Sequence, residues 1–493
     1  MEKQLVKINR KVLQKEKEVS LSLDFIVPDI KPDIIAVLDT NANAYIYKEE
    51  LSSERIRFDG NIVAKVIYLS DSGETKSLSA QLDFSEIIED SLITNELRYK
   101  SSVELLSIES KIINERKIIV SAKANIKTEF FEIVEVELIS SLDTISDLQI
   151  RKEELKIKNF IGANKAKGNI KETIDFDSMD PIIDILKTDI KIGKTENKIS
   201  YNKVLSKTDC EVKIIYQTES MEIKTKKANY PIMSFIDLEK VEENHIVETN
   251  TYLRGMQIFL TQNESNKINL NLDFETSLEV YEIKEISIID DIYSLDKEIE
   301  FTKKEFEAEL ETENMESTIS IAESFLTEDI SKIIDAKASV KVISKEKLNG
   351  YSNYNLEISV KTMYELDSKN GIAVKNACFN TLVKIEEDDT DYTEFCISNE
   401  EYNINGDKVF CNIEVKSVLK KNKFKNISVI ENIVEKENEN KNQYSLIVYF
   451  VKPKDSIWKI AKNFKVSMQS IIDANNLENP DKINIGDKIY IVR

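Results

Sequence analysis

Tyr68, Tyr216 and Tyr364 stand at equal steps of 148 residues, and each closes the same kind of apolar, alternating run. The runs read Asn-Ile-Val-Ala-Lys-Val-Ile-Tyr, Asp-Cys-Glu-Val-Lys-Ile-Ile-Tyr and Leu-Glu-Ile-Ser-Val-Lys-Thr-Met-Tyr, and their lysines, Lys65, Lys213 and Lys361, keep the same step. Upstream, segments beginning at Asp33, Pro181 and Asp329 repeat at this spacing as Asp-Ile-Ile-Ala-Val-Leu, Pro-Ile-Ile-Asp-Ile-Leu and Asp-Ile-Ser-Lys-Ile-Ile. Downstream, similar strands start at Lys117, Lys267 and Lys408, and their unequal steps of 150 and 141 place small insertions and deletions in loops, where they are tolerated. A period this long is the size of a domain rather than of a solenoid repeat, so each copy is expected to bury a core of its own. The boundaries fall near residues 150 and 298, giving units over 1–150, 151–298 and 299–434.

Period-two alternation, abundant Ile, Val, Thr and Tyr, and only 10 Gly and 6 Pro predict a chain that is mainly β. At 41% hydrophobic residues the composition is that of a folded protein, and 493 residues exceed what one core can organise. Cys210, Cys378, Cys396 and Cys411 show no CxxC pairing and no partner histidines, so neither a metal site nor a disulfide framework is expected. The first residues carry charges without an apolar h-region, and no stretch reaches the length of a membrane-spanning helix; export by a standard signal is not expected.

The C-terminal stretch has a different period. Ile447, Tyr449 and Val451 alternate as a strand, a Lys-Pro-Lys-Asp turn follows, and Ile457, Ile460, Ala461 and Phe464 take the spacing of a one-faced helix. Met468, Ile471 and Ile472 mark a second helix, and Gly486-Asp487 turns the chain into a closing strand with Ile489 and Ile491, so residues 444–493 read as a small α+β module of order βααβ. Residues 435–443 form a polar run without an apolar member and read as a tether. Residues 447–493 hold eight Lys plus Arg against five Asp plus Glu, a net of +3 in a chain of net charge -21. The module is a basic cap on an acidic body, a matter of association and solubility rather than of fold.

The module resembles a LysM domain through Tyr449, Val451, Asp455, Ile457, Ile460, Ala461, Asn475, Leu477, Asn479, Pro480, Asp481, Gly486, Ile489 and Ile491. Lys454 stands where that family usually has Gly, so the first turn is built without the residue that most easily takes positive φ. The resemblance implies a groove between this turn and the loop before the closing strand, which in the family holds N-acetylglucosamine. The residues expected to contact a partner or glycan are Lys452, Lys454, Asp455, Ser456, Trp458, Leu477, Asn479, Pro480, Asp481 and Lys482. Asp455 or Ser456 has a second task as helix N-cap, and Trp458, the only tryptophan, reads first as core or half-core packing and second as an exposed hot spot.

The repeated unit resembles the SPOCS domain through Lys31-Pro32-Asp33-Ile34-Ile35-Ala36-Val37-Leu38 and the strand from Gly60 to Tyr68; the first copy matches well and the other two have drifted. Three tandem SPOCS-like domains followed by one LysM are similar in order to the SipL-type spore-coat morphogenesis proteins of endospore-forming clostridia. That resemblance implies a non-enzymatic scaffold in the mother-cell cytoplasm, at the forespore surface. Its LysM domain would dock onto the morphogenetic ATPase SpoIVA, with other coat proteins as further partners. The rival expectation is a binder of peptidoglycan, an N-acetylglucosamine polymer.

Catalysis has little to stand on in the sequence. His245 is the only histidine, so no Ser-His-Asp or Cys-His arrangement is available without it, and no GxxxxGK[ST] or GxGxxG cradle for phosphate occurs. No cofactor is expected. The acidic run Glu386-Glu387-Asp388-Asp389 reads as a solvated loop rather than a glycosidase pair, and the basic stretch from Lys420 to Lys425 as a solvated hairpin rather than a nucleic-acid site.

Overall fold

A computed structural model describes residues 2–142, 147–176, 180–261, 266–310, 314–367, 371–388, 391–421, 424–437, 445–480 and 482–492. Strands dominate, as the alternation predicts, because nearly every apolar run has period two and few glycines or prolines interrupt it. The first set comprises β1 (Glu2–Ile26), β2 (Ile34–Ser52), β3 (Arg55–Ser70), β4 (Thr75–Glu89), β5 (Arg98–Asn114) and β6 (Lys117–Ser141). It forms two antiparallel sheets of order β2-β3-β4 and β1-β6-β5. The second set, β7 (Leu148–Asp175), β8 (Ile182–Ser200), β9 (Lys203–Thr218), β10 (Ile223–Asp237), β11 (Ile246–Leu260) and β12 (Lys267–Ser294), repeats the scheme as β8-β9-β10 and β7-β12-β11.

The third set has the same path with its two longest strands divided. It runs through β13 (Glu298–Glu309), β14 (Asn314–Leu326), β15 (Ile330–Leu348), β16 (Tyr351–Leu366), β17 (Ile372–Glu386), β18 (Tyr392–Asn405), β19 (Lys408–Lys420) and β20 (Phe424–Lys436). Its sheets are β15-β16-β17, β14-β19-β18 and the pair β13-β20. The repeated tyrosine runs are the central strands β3, β9 and β16, where a strand pairs on both sides and tolerates only good strand formers.

Each set has a core between its two three-stranded sheets, around Phe58, Ile62 and Ile126 in the first, Val212, Ile214 and Leu272 in the second, and Leu356, Ile358 and Ile413 in the third. Gly60 opens this arrangement in the first set: a Cβ there would collide with the Phe84 ring and the Tyr45 carbonyl. These separate cores are not the whole of the packing. Leu38, Leu186 and Ile334 meet Ile67, Ile215 and Met363 in one cluster, so residues 148 apart in sequence converge in space. A second shared cluster joins the first and last strands of all three sets through Val6, Val136, Ile157, Ile286, Ala308 and Ile427. In addition to the independent cores expected from the period, the sets are therefore fused by apolar surface that none of them buries alone.

The contacts run in one sense around a ring: β4 lies beside β8, β10 beside β15, and β17 beside β2. Charge follows the same sense. Lys213 of the second set pairs with Asp335 of the third, and Lys361 of the third pairs with Asp39 of the first. The position equivalent to these aspartates in the second set is Lys187, which turns to Asp335 at 2.5 Å and Asp189 at 3.0 Å. Asp184 serves the first junction instead, accepting from Ser77 N–H at 2.8 Å, Ser77 Oγ at 3.0 Å and Lys31 Nζ at 3.1 Å.

Burial alone would raise the Asp335 pKa, but Lys187 and Lys213 outweigh it and hold the carboxyl below its ordinary value. Its folded value lies under the unfolded one, so its stabilisation is present above about pH 4 and is lost as pH falls through the folded value. We expect Asp335→Ala to lower the free energy of urea unfolding by about 3 kcal/mol at neutral pH, because two buried or half-buried ammoniums lose a shared carboxylate. The difference from wild type should shrink in acid; a constant difference from pH 7 to pH 2 would exclude the charged role.

Candidate functional site

The C-terminal module is built from β21 (Leu446–Phe450), α1 (Ile457–Phe464), α2 (Met468–Asn475) and β22 (Lys488–Val492), with β21 and β22 antiparallel. Its core gathers Val451, Ile457, Ile460, Ala461, Ile471, Ile489 and Ile491. The helices are short and need their caps. Ser456 is the N-cap of α1, accepting from Lys459 N–H at 3.3 Å, and Ser467 caps α2 by accepting from Ser470 N–H at 3.0 Å.

Asp455 has the other task open to it. Its carboxylate accepts from Lys452 N–H at 2.8 Å and from the Tyr449 hydroxyl at 2.7 Å, closing the turn between β21 and α1. These two bonds, the backbone one first, hold its pKa below the ordinary carboxylate value. Lys454 sits in that turn at φ 68°, the left-handed region where the family pattern has Gly. Its carbonyl accepts from Lys459 Nζ at 2.9 Å, while its own side chain is exposed.

The structure divides the expected contact residues. Lys452 and Lys454 are exposed and Asp455 and Ser456 half-buried in the turn. Val451 N–H donates to Asp487 O at 2.9 Å and Gly486 N–H to Val451 O at 2.8 Å, which sets this turn beside the loop that enters β22. Asn479 and Lys482 are exposed in that loop and Pro480 is half-buried, whereas Leu477 packs against the module's core. Asp481 and most of the 435–443 tether, residues 438–443, lie outside the described residues. A cavity of ≈ 400 Å³ between the end of α2 and β22 is lined by Asn475, Leu477, Lys482, Ile483 and Tyr490 among others, and by none of residues 452–458.

Trp458 belongs to a different surface. It is buried against Tyr293 with ring centroids 5.0 Å apart, and its Nε1–H donates to Asp291 at 2.7 Å. Lys462 pairs with the same carboxylate at 2.5 Å, the Tyr293 hydroxyl donates to Val466 O at 2.8 Å, and Arg151 lies over the indole. Trp458 is thus the anchor of α1 on the second strand set, not an exposed contact, and the module is docked rather than swinging on its tether. Asp291, Tyr293, Arg151 and Lys462 had no signal in the sequence: the Trp458–Asp291 bond spans 167 positions and no motif surrounds its acceptor.

The residues considered for chemistry stay apart. His245 Nδ1 accepts from Glu242 N–H in a local turn. Glu387, in the run read as solvated, is instead buried, accepting from Tyr354 at 2.7 Å and Lys345 at 2.8 Å, because its carboxylate closes the end of β16. Among the described residues no group of His, Cys, Asp and Glu is arranged to hold a metal ion, and no helix is long and apolar enough to cross a membrane.

Two family models match the chain. One, described as SipL, SPOCS domain, covers residues 181–261, and the other, LysM domain, covers residues 449–492. The SPOCS match falls on β8 to β11, in the second strand set rather than in the first, where the short signature is closest. These matches agree with the resemblance to SipL-type proteins and mark a sporulation protein with a LysM module, a domain type that suggests glycan binding. Both are binding-type, non-catalytic domains. No curated protein and no solved structure matches.

Two outcomes follow from this geometry. Lys454→Gly should raise the module's stability by about 0.5–1 kcal/mol, because Gly takes φ 68° without the strain a Cβ brings, measured by local hydrogen exchange in α1. Asp291→Ala should release α1 at a cost of about 2 kcal/mol, shifting the fluorescence of the sole tryptophan to the red. Unchanged emission would contradict the docking.

Proposed function

For a chain that carries a SPOCS domain of the SipL type and a C-terminal LysM domain, we propose a non-enzymatic role as a spore-coat morphogenesis scaffold. The units are SPOCS-like domains over 1–150, 151–298 and 299–434, a connecting segment at 435–443 and a LysM domain at 444–493. The protein acts in the mother-cell cytoplasm at the forespore surface, where its LysM domain docks onto the SpoIVA ATPase and helps assemble the coat basement layer. Other coat proteins are the expected partners of the strand body.

One observation carries the choice of docking surface. The body occupies α1 through Asp291 and Tyr293, which leaves the turn of Lys452 and Lys454 and the loop of Asn479 and Lys482 turned to solvent. Recognition by loops on a held frame fits this arrangement, and the lysines favour an acidic partner surface. The glycan reading keeps one specific support, the ≈ 400 Å³ cavity beside Leu477 and Lys482.

The two readings separate in one experiment. Full-length chain, wild type and Lys454→Glu, is incubated with SpoIVA and, in parallel, with purified peptidoglycan. We expect retention by SpoIVA alone, reduced about tenfold by the charge reversal, while unfolding stability changes little. Retention by peptidoglycan alone would overturn the scaffold reading and make this a wall-reading protein.

A further inference from the structure

Among the described residues, two exposed apolar surfaces at opposite ends of the molecule differ in charge. The first is the outer face of the β21–β22 sheet. Tyr449, Val451, Ile489 and Ile491 point into the module, so the alternate residues point out, and the cross-strand rungs Leu446–Val492, Val448–Tyr490 and Phe450–Lys488 form a ladder of exposed side chains. Phe450 is 60% exposed. At that end the ladder finishes in exposed Lys488, whose ammonium lies over the Tyr490 ring, with exposed Lys452 just beyond Phe450.

The second surface is the tip of the first strand set, between β1 and β2. Ile30 is 92% exposed there and Ile26 70%, with Ile35 and Ile113 also exposed. This loop is held rigidly. Arg116 donates to the Lys31 carbonyl at 2.7 Å, Asp33 at 2.9 Å, the Val27 carbonyl at 3.0 Å and Asp29 at 3.4 Å, while Lys31 N–H donates to Pro28 O at 2.9 Å. Pro28 and Pro32 restrict it further. A preorganised loop that shows isoleucine to water gives up little entropy on binding. The tip's cations are engaged: Arg116 as above, Lys31 with Asp184, and Lys117 with Asp24. Asp29, which Arg116 reaches only at 3.4 Å, is exposed there with Glu115 and Asp71, so the apolar tip carries acid where the end of the ladder carries lysine.

The two surfaces cannot meet within one molecule. β1 runs 25 residues, about 80 Å, from the tip at Ile26 to the foot, where Ile139 of its partner strand clusters with Ile292 and Phe301 beside the docked module. We propose that the tip of one copy docks on the β21–β22 face of the next, with Ile30 on the ladder and Asp29 toward Lys488. Because the contact joins opposite ends of the molecule, it is heterologous and propagates as an open row of copies instead of closing as a dimer. It uses neither the Lys452–Ser456 turn nor the loop of residues 477–482 as its main surface, so it stands or falls apart from the docking proposed above.

Sedimentation velocity of the full-length chain across a concentration series tests this. The expected result is a weight-average mass that climbs past the dimer without a plateau. Ile30→Asp and Val448→Asp should each weaken association by at least about tenfold, and their equimolar mixture should stop at a one-to-one pair, since each chain keeps one competent end. Asp29→Lys and Lys488→Glu, both exposed charge changes that spare the fold, should each weaken association, and the double variant should restore it. A wild type that stays monomeric, one that stops at a dimer, a mixture that still polymerises, or a double charge swap without recovery would overturn the proposal.

Discussion

Everything in the body depends on the junction between the third strand set and the first. Two of the three junctions join sets that are consecutive in the chain; the third brings β17 against β2 and Lys361 to Asp39, with β20 beside β6 lower down. Once it closes, residues 148 apart face one another and the cluster of Leu38, Leu186, Ile334 and their partners is assembled from all three sets. Opened, the same cluster would show apolar surface to water at every set, at a cost of about 25 cal/mol for each Å² exposed.

Closure also decides where the rest of the chain goes. With the three central sheets turned inward, the long strand pairs β1–β6 and β7–β12, and β13–β20 of the third set, come together lower down, in the cluster around Val6, Ile157 and Ile427. The ends of these pairs are not equivalent. Among the described residues, it is Asp291 and Tyr293 of β12 that offer a carboxylate to α1 and a hydroxyl to the turn after it, so the C-terminal module is seated on the second set. Seating it by α1 turns its loops and its sheet face away from the body, which is what gives both the proposed docking and the proposed row of copies their free surfaces.

The sequence carried the strand content, the repeat and the βααβ order, because each rests on short-range periodicity or on spacing that a single chain displays. The turn at Lys454 was marked by the resemblance to LysM, which has Gly there, and the structure shows that the lysine takes the left-handed conformation itself. The repeated lysines were visible as a register, but their partners were not: Asp39, Lys187 and Asp335 keep the same step without sharing a charge, so nothing along the chain showed that a lysine of one set answers to the next. Trp458 shows the limit most clearly. Core or half-core packing is its first reading in the sequence, while the surface that buries it lies a whole strand set away.

The claim that the three sets form a closed ring is tested most directly by a double-mutant cycle on Asp39→Ala and Lys361→Ala, read as unfolding free energies of the full-length chain in urea. Closure predicts a coupling energy of about 1–3 kcal/mol between two residues whose only route to contact is the last junction. Strictly additive effects would mean that the third set does not return to the first, and the chain would be a string of sets and not a ring.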